Sequence, residues 1–282
     1  MKKNRKFLSI LLMLTVVLSM SFAAMPAYAA SGTAISTADD LKAMASNPGG
    51  SYYLANDIEV PSNLILFTSY DAPFTGTLDG NGHTIKGYTY TASADWTEQA
   101  ALFGYAKNAT FKNLKMTEVN ISLNQAGTVA ALVAASENCK FTDISVSGKI
   151  VGKSLSTAAG IVAYSYEGGT LTNCKNSADI TITNADEGSS AAGVAGFIGS
   201  AGSMKNCSNS GKISISGSIE AASISAAGVV LGVGKATSCK NSGTISVSAI
   251  GNGSMNDECI AAGVAVEVDT AVSCSHHDHE VG

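Results

Sequence analysis

Ala158-Ala159-Gly160-Ile161-Val162-Ala163 opens a unit that continues with Leu171-Thr172-Asn173-Cys174-Lys175-Asn176-Ser177-Ala178-Asp179-Ile180-Thr181-Ile182. The first phrase returns as Ala191-Ala192-Gly193-Val194-Ala195-Gly196, Ala226-Ala227-Gly228-Val229-Val230-Leu231 and Ala261-Ala262-Gly263-Val264-Ala265-Val266. The second returns as Asn206-Cys207-Ser208-Asn209-Ser210-Gly211-Lys212-Ile213-Ser214-Ile215 and Cys239-Lys240-Asn241-Ser242-Gly243-Thr244-Ile245-Ser246-Val247. Degraded copies precede them at Ala131-Leu132-Val133-Ala134 with Phe141-Thr142-Asp143-Ile144, and at Ala101-Leu102-Phe103-Gly104 with Phe111-Lys112-Asn113-Leu114. One slot is therefore filled in turn by Leu114, Ile144, Cys174, Cys207, Cys239 and Cys274. Residues 96–282 read as about six repeats of 30–35 residues.

Helical repeats of this period need two helices each, and no repeat here offers ten residues of helical periodicity. Ile180-Thr181-Ile182-Thr183 and Ile213-Ser214-Ile215-Ser216 alternate with the strand period of two. Asn-Ser-Gly punctuates them as a turn. The fold class expected is all-β, a parallel β-helix with three short strands per coil: Gly160 to Ala163, a second around Asn173-Cys174, and Ile180 to Ile182. Coils would stack at about 4.8 Å, with like residues in columns. A narrow interior accounts for Ala, Gly, Val and Cys at inward sites. Ser145, Thr181, Ser214 and Ser246 are expected as an outward column. Such a column could order water, but Ser and Thr are common on solvent-facing strands.

Outward from the repeats, residues 30–95 read as an N-terminal helix-plus-strand cap. Thr37-Ala38-Asp39-Asp40 is a capping-box variant, Leu41 and Met44 give an apolar face, and Pro48-Gly49-Gly50 stops the helix. Tyr52 to Val60 reads as a strand, and Gly76 to Ile85 as strand, tight turn, strand. Residues 1–29 read as a secretory signal peptide: Lys2, Lys3, Arg5 and Lys6, an apolar run from Phe7 to Phe22, then Ala27-Tyr28-Ala29. Its removal takes four of the 17 basic residues, including the only arginine, while all 22 acids stay. That balance argues against nucleic acid and anionic lipid as partners, and no second apolar run is long enough to span a bilayer.

Chemistry-bearing clusters are few. Six cysteines in an exported chain invite disulfides. Four of them share the slot that Ile144 and Leu114 fill earlier, which suits buried free thiols better than bonds between parallel side-chain vectors. Cys139 and Cys259 fall outside the slot, as loop thiols or as a pair. His276, His277 and His279, with Asp278 and Glu280, are the dense ligand cluster, suited to zinc or nickel; the competing reading is a polar turn. Loops of variable length, Asn184 to Ser190, Gly217 to Ser225 and Ile250 to Ile260, are the expected binding elements, with Asp186, Glu187, Glu220, Asp257 and Glu258 as their charged candidates. No catalytic pairing and no cofactor is expected. No H-E-x-x-H motif occurs, and a lyase or hydrolase would need a base or paired carboxylates in a cleft. Trp96 is the only tryptophan, and the repeats lack the aromatic platforms on which sugar rings stack.

The helix A-D-D-L, the phrases Y-Y-L-A-N-D-I, F-T-G-T-L-D-G-N-G-H-T-I and A-L-F-G, and the recurring N-C-x-N-S-G resemble the secreted β-helix proteins of Gram-positive and gut bacteria that carry GLUG-type repeats. Similar modules occur in surface adhesins and beside immunoglobulin-A-cleaving zinc peptidases. The resemblance implies a right-handed helix and a secreted or cell-surface location; it carries over no catalytic residue. His83, inside the Asp-Gly-Asn-Gly-His phrase, is read as structural. The function expected is a non-catalytic module that holds variable loops against an extracellular glycan or protein. The alternatives are a polysaccharide-active lyase or hydrolase, and an accessory domain of a larger surface protein. An open edge after the last coil would permit self-association.

Overall fold

The computed structural model describes residues 31–92, 99–124, 127–185, 188–219, 224–251 and 259–276. These form an all-β parallel solenoid of about six turns with three parallel sheets and one short N-terminal helix. One coil shows the pattern. Thr157–Ala159 lies in the first sheet, Val162–Thr172 in the second, and Lys175–Asn176 with Asp179–Ala185 in the third. Among the described residues these sheets contain six, eleven and twelve strands. Every strand pairing is parallel, and each joins a residue to its counterpart one repeat away: Ala130, Ala159, Ala192, Ala227 and Ala262 sit side by side.

The strands are phased differently from the sequence expectation. Ala158-Ala159 ends one strand, Gly160-Ile161 is the corner, and Val162 begins the next. Asn173-Cys174 is likewise a corner between two strands. The reason is backbone geometry. Asn113, Asp143, Asn173, Asn206, Ser238 and Ser273 hold the same corner at φ between 50° and 56°, the left-handed region that Asn and Asp tolerate best. The corner side chains also bond from coil to coil: Asn113 Nδ2 donates to Asp79 Oδ1 (3.0 Å), Asn173 Nδ2 to Asp143 Oδ1 (2.9 Å) and Asn206 Nδ2 to Asn173 Oδ1 (3.2 Å). Just past the corner, Leu114, Ile144, Cys174, Cys207 and Cys239 are buried and Cys274 is half-buried. Their carbonyls accept from the next coil, as Ser145 N–H to Leu114 O (2.9 Å), Lys175 N–H to Ile144 O (2.8 Å) and Ser208 N–H to Cys174 O (2.9 Å). No disulfide joins the six cysteines. Cys139 and Cys259 are strand residues, not loop thiols; Cys139 is buried and Cys259 exposed.

The interior is not uniformly narrow. One inward column reads Leu78, Phe111, Phe141, Leu171, Met204, Ala236 and Ala271 along the axis. Early coils are filled by rings: Phe74, Phe103, Phe111 and Phe141 are fully buried and pack at centroid distances of 5.1–5.5 Å. Later coils hold Ala and Cys. A second column changes chemistry altogether, running Ile85, Met116, Val146, then Asn176, Asn209, Asn241 and His276. The three asparagines are buried and form a ladder: Asn176 Nδ2 donates to Asn209 Oδ1 (2.8 Å), and Asn209 Nδ2 to Asn241 Oδ1 (2.9 Å). Each also closes a ring on the backbone two residues on, as Asn209 does with Gly211 O (2.8 Å) and Gly211 N–H (3.2 Å). Asn-Ser-Gly thus marks a buried polar column, which is why the Ala-Ala-Gly corner beside it needs glycine. A Cβ on Gly193 would lie 2.1 Å from Gly228 O and 2.4 Å from Asn209 Cγ.

At the N-terminal end, Thr37 caps the helix Ala38–Ala43 with the reciprocal bonds of a capping box: Asp40 N–H donates to Thr37 Oγ1 (3.2 Å) and Thr37 N–H to Asp40 Oδ2 (2.9 Å). Leu41 and Met44 are fully buried. The stretch Tyr52 to Val60 is two strands, Ser51–Leu54 and Ile58–Glu59, on different sheets. Thr77–Asp79 and Thr84–Lys86 also belong to different sheets, so the Gly-Asn-Gly between them turns a coil rather than a hairpin. Asp79 Oδ1 accepts from Asn81 N–H (2.8 Å) there, and His83 Nδ1 lies 3.6 Å from Asp57 Oδ1. The outward column beside Thr181 reads Val151, Thr181, Ser214 and Ser246; Ser145 instead pairs with Lys175.

Candidate functional site

Most residues singled out in the sequence as binding candidates do not bear on the described surface. Asp186, Glu187, Glu220, Asp257, Glu258, His277 and His279 lie outside the described residues, as do residues 1–30 and Trp96. Strands run further into the variable stretches than expected, to Ala185, Ile219 and Gly251. His276 extends the asparagine ladder. Asn241 Nδ2 lies 2.9 Å from His276 Nδ1, and the Asn241 amide is oriented by its bonds to Gly243, so Nδ2 donates and Nδ1 accepts. That nitrogen is thereby engaged within the fold. Among the described residues no three His, Cys, Asp or Glu side chains gather as a metal site.

The described surface has a different concentration of chemistry, on the outer face of the second sheet. Tyr105, Ala135, Tyr164, Phe197, Gly232 and Glu267 occupy one row across six coils. Tyr164 stacks on Phe197 (centroids 5.6 Å, planes 16° apart) and on Tyr166 (5.9 Å, 6°). Tyr70 meets Tyr105 edge-on at 5.8 Å. Tyr70, Tyr166 and Phe197 are 61%, 55% and 36% exposed, large apolar rings on a face that would otherwise be polar. The row is rigidly mounted. Tyr164 Oη lies 2.7 Å from Thr157 Oγ1 across the corner from the first sheet, and Ala130, Ala134, Ala159 and Ala163 pack beneath it.

Two recesses flank the rings. The smaller lies among Tyr70, Tyr105, Ala135 and Tyr166 and ends at the Lys107–Glu137 ion pair (2.6 Å), which also receives the Tyr70 hydroxyl (3.3 Å). Hydrogen bonding from Lys107 holds the Glu137 carboxyl below its usual range. The larger is a groove of about 400 Å³ between the stacked rings and the strand Ala265–Val272, walled by Glu167, Glu267 and Asp269 and floored by Gly232 and Gly234. No lysine lines it. The expectation that the repeats lack an aromatic platform is thus corrected: Tyr164, Tyr166 and Phe197 form one, and repeat comparison does not reveal it because they fall in the unrepeated stretch after Ala-Ala-Gly. Strand spacing could have found them: Tyr164 and Phe197 stand at one repeat position, and Tyr166 two residues on from Tyr164 faces the same way.

Residues 27–148 match the family model described as M26 IgA1-specific Metallo-endopeptidase N-terminal region. The match covers less than half of the chain. A solved structure named IgA1 Protease superposes with a TM-score of 0.54 at 14% identity, over 87% of this chain and 20% of its own. A Bacteroides ovatus protein provisionally described as an immunoglobulin A1 protease superposes with a TM-score of 0.51 at 16% identity, over 83% of this chain and 84% of its own. At these identities the likeness is one of fold. The chain spans about a fifth of the length of the first of these structures. No curated protein matches it.

Proposed function

We infer that this chain is a non-catalytic recognition module of a secreted or cell-surface bacterial protein, and that it binds a protein partner through the outer face of its second sheet. The observation that carries this is the mounted row of exposed rings, Tyr70, Tyr105, Tyr164, Tyr166 and Phe197, flanked by two recesses. Aromatic rings on a rigid support supply contact area at little entropic cost, and they dominate interface energetics. The N-terminal-region match and the spread of the solved relative far beyond this segment favour a module that works beside other domains. The signal-like residues 1–29 and the GLUG-type phrases favour export. Immunoglobulin A1 is the first partner to try, because the proteins of like fold are named for it.

Binding of the purified chain to immunoglobulin A1, and to a glycan array, should be measured for the native sequence and for Tyr166→Ser with Phe197→Ser. A protein complex weakened at least tenfold by the pair supports the reading. A protein complex indifferent to both changes rejects this face. Glycan binding lost in the same variant would keep the face and replace the protein by a carbohydrate.

A further inference from the structure

We propose that the bare rung at Gly232 is a receptor for the guanidinium of an arginine carried by the partner polypeptide, a deepening that rests on the second-sheet face being the binding surface. The row Tyr164, Phe197, Gly232, Glu267 is a ladder of side chains with one rung missing. Tyr164 covers one face of the Phe197 ring at 5.6 Å. The next residue along the axis has no side chain to cover the other. Beyond the gap stands a carboxylate. The point where a Gly232 Cβ would sit is 3.0 Å from Phe197 Cδ1 and 3.8 Å from Glu267 Oε2. A group entering above Gly232 therefore meets an aromatic face on one side and an anionic oxygen on the other.

The spacing selects the shape of that group. Phe197 and Glu267 are two rungs apart, but the ring atom and the carboxylate oxygen both stand within 4 Å of the Gly232 Cβ position, so the opening between them is narrower than two full strand spacings. A flat group that lies against the ring at about 3.5 Å and donates to the carboxylate at about 2.9 Å is thin enough to enter, and a bulkier one is not. The charge selects its sign. Glu167, Glu267 and Asp269 wall the groove with no lysine among its lining residues, so an anionic layer is repelled and a cation is favoured. A guanidinium is flat and permanently charged; it stacks on rings and donates a fork of N–H groups to a carboxylate. A neutral sugar would satisfy the ring and leave the charge of Glu267 and Asp269 unanswered. The groove's far wall, the strand Ala265–Val272, pairs on one side only among the described residues, and such an edge suits an extended peptide.

The test uses the full chain and a capped Gly-Ser-Arg-Ser-Gly peptide, beside the same peptide with citrulline, whose side chain has the same shape without the charge. Titration is followed by the Gly232 amide resonance and by calorimetry. The arginine peptide should shift Gly232 saturably and bind at least tenfold more tightly than the citrulline peptide. Glu267→Gln, an exposed change that leaves the fold intact, should erase that difference. Gly232→Leu, checked for an unchanged thermal transition, should block both peptides. Equal affinity for the two peptides, no shift at Gly232 up to about 10 mM arginine peptide, or an unaltered preference in Glu267→Gln overturns the proposal. A macromolecular partner lost in Tyr166→Ser with Phe197→Ser yet held at full strength by Glu267→Gln would keep the binding face and remove the arginine slot.

Discussion

A single amide sets the register of the late coils. Asn209 donates to Gly211 O and Asn241 Oδ1 and accepts from Asn176 Nδ2 and Gly211 N–H, with its side chain away from water. A one-residue slip would place Ser208 or Ser210 there and strand these partners. Asn209→Leu keeps the volume and removes every bond, leaving the Asn176 donor and the Gly211 groups without their partner. Each buried group left so costs about 1–3 kcal/mol, so with three of them the variant should lose at least about 3 kcal/mol in a urea or guanidinium titration. A loss under about 0.5 kcal/mol would show that the ladder follows the fold rather than specifying it. The sequence displayed this residue without its role. Asn-Ser-Gly reads as a surface turn by composition, and only the stacking of coils reveals that Asn176, Asn209 and Asn241 share one buried column.

At the scale of one element, the thiol column reports on burial. Cys207 is pushed up by its contact with the Cys174 thiol, and Cys239 by its contact with Cys207 together with burial. Burial pushes the Cys139 thiol, one strand away, up to about 11. An unfolded cysteine ionises near pH 8.5. The folded protein binds these protons more tightly than the unfolded chain, so their stabilising contribution is whole below about pH 8.5 and is lost as pH rises through the folded values. The denaturation midpoint should therefore fall between pH 8.5 and 11, and alanine at Cys139 should flatten that fall. A thiol reagent at pH 8 should modify Cys259 quickly and leave Cys139, Cys174, Cys207 and Cys239 untouched until denaturant is added. Rapid modification of the four would contradict the buried column. The slot itself was legible, because Leu114 and Ile144 preceded the cysteines in it. The corner phasing was not: Asn173 at φ 56° is a property of the backbone that repeat comparison does not display.

Over the whole molecule, the architecture was readable and the ring-bearing face was not, for one physical reason. Solenoid coils constrain inward residues to recur, so the core repeats and announces the fold. Outward residues recur only where the partner demands it, and the rings of the second sheet come from Tyr70, Tyr105, Tyr164, Tyr166 and Phe197, scattered over four coils. The interior also changes along the axis, from phenylalanine in the early coils to alanine, cysteine and asparagine in the late ones. That drift hides the kinship of Leu78, Phe111 and Ala236 in one column. On the outer row the groove lies where Gly232 follows Phe197. In the proposed function this face, rather than the variable loops, meets the partner. Hydroxyl-radical footprinting of the chain with and without its bound partner tests it most directly. Protection concentrated on Tyr70, Tyr166, Phe197 and Val268, with the stretches 186–189, 220–223 and 252–258 labelled as in the free chain, is the predicted result; protection of those three stretches with the rings still open to the radical would contradict it.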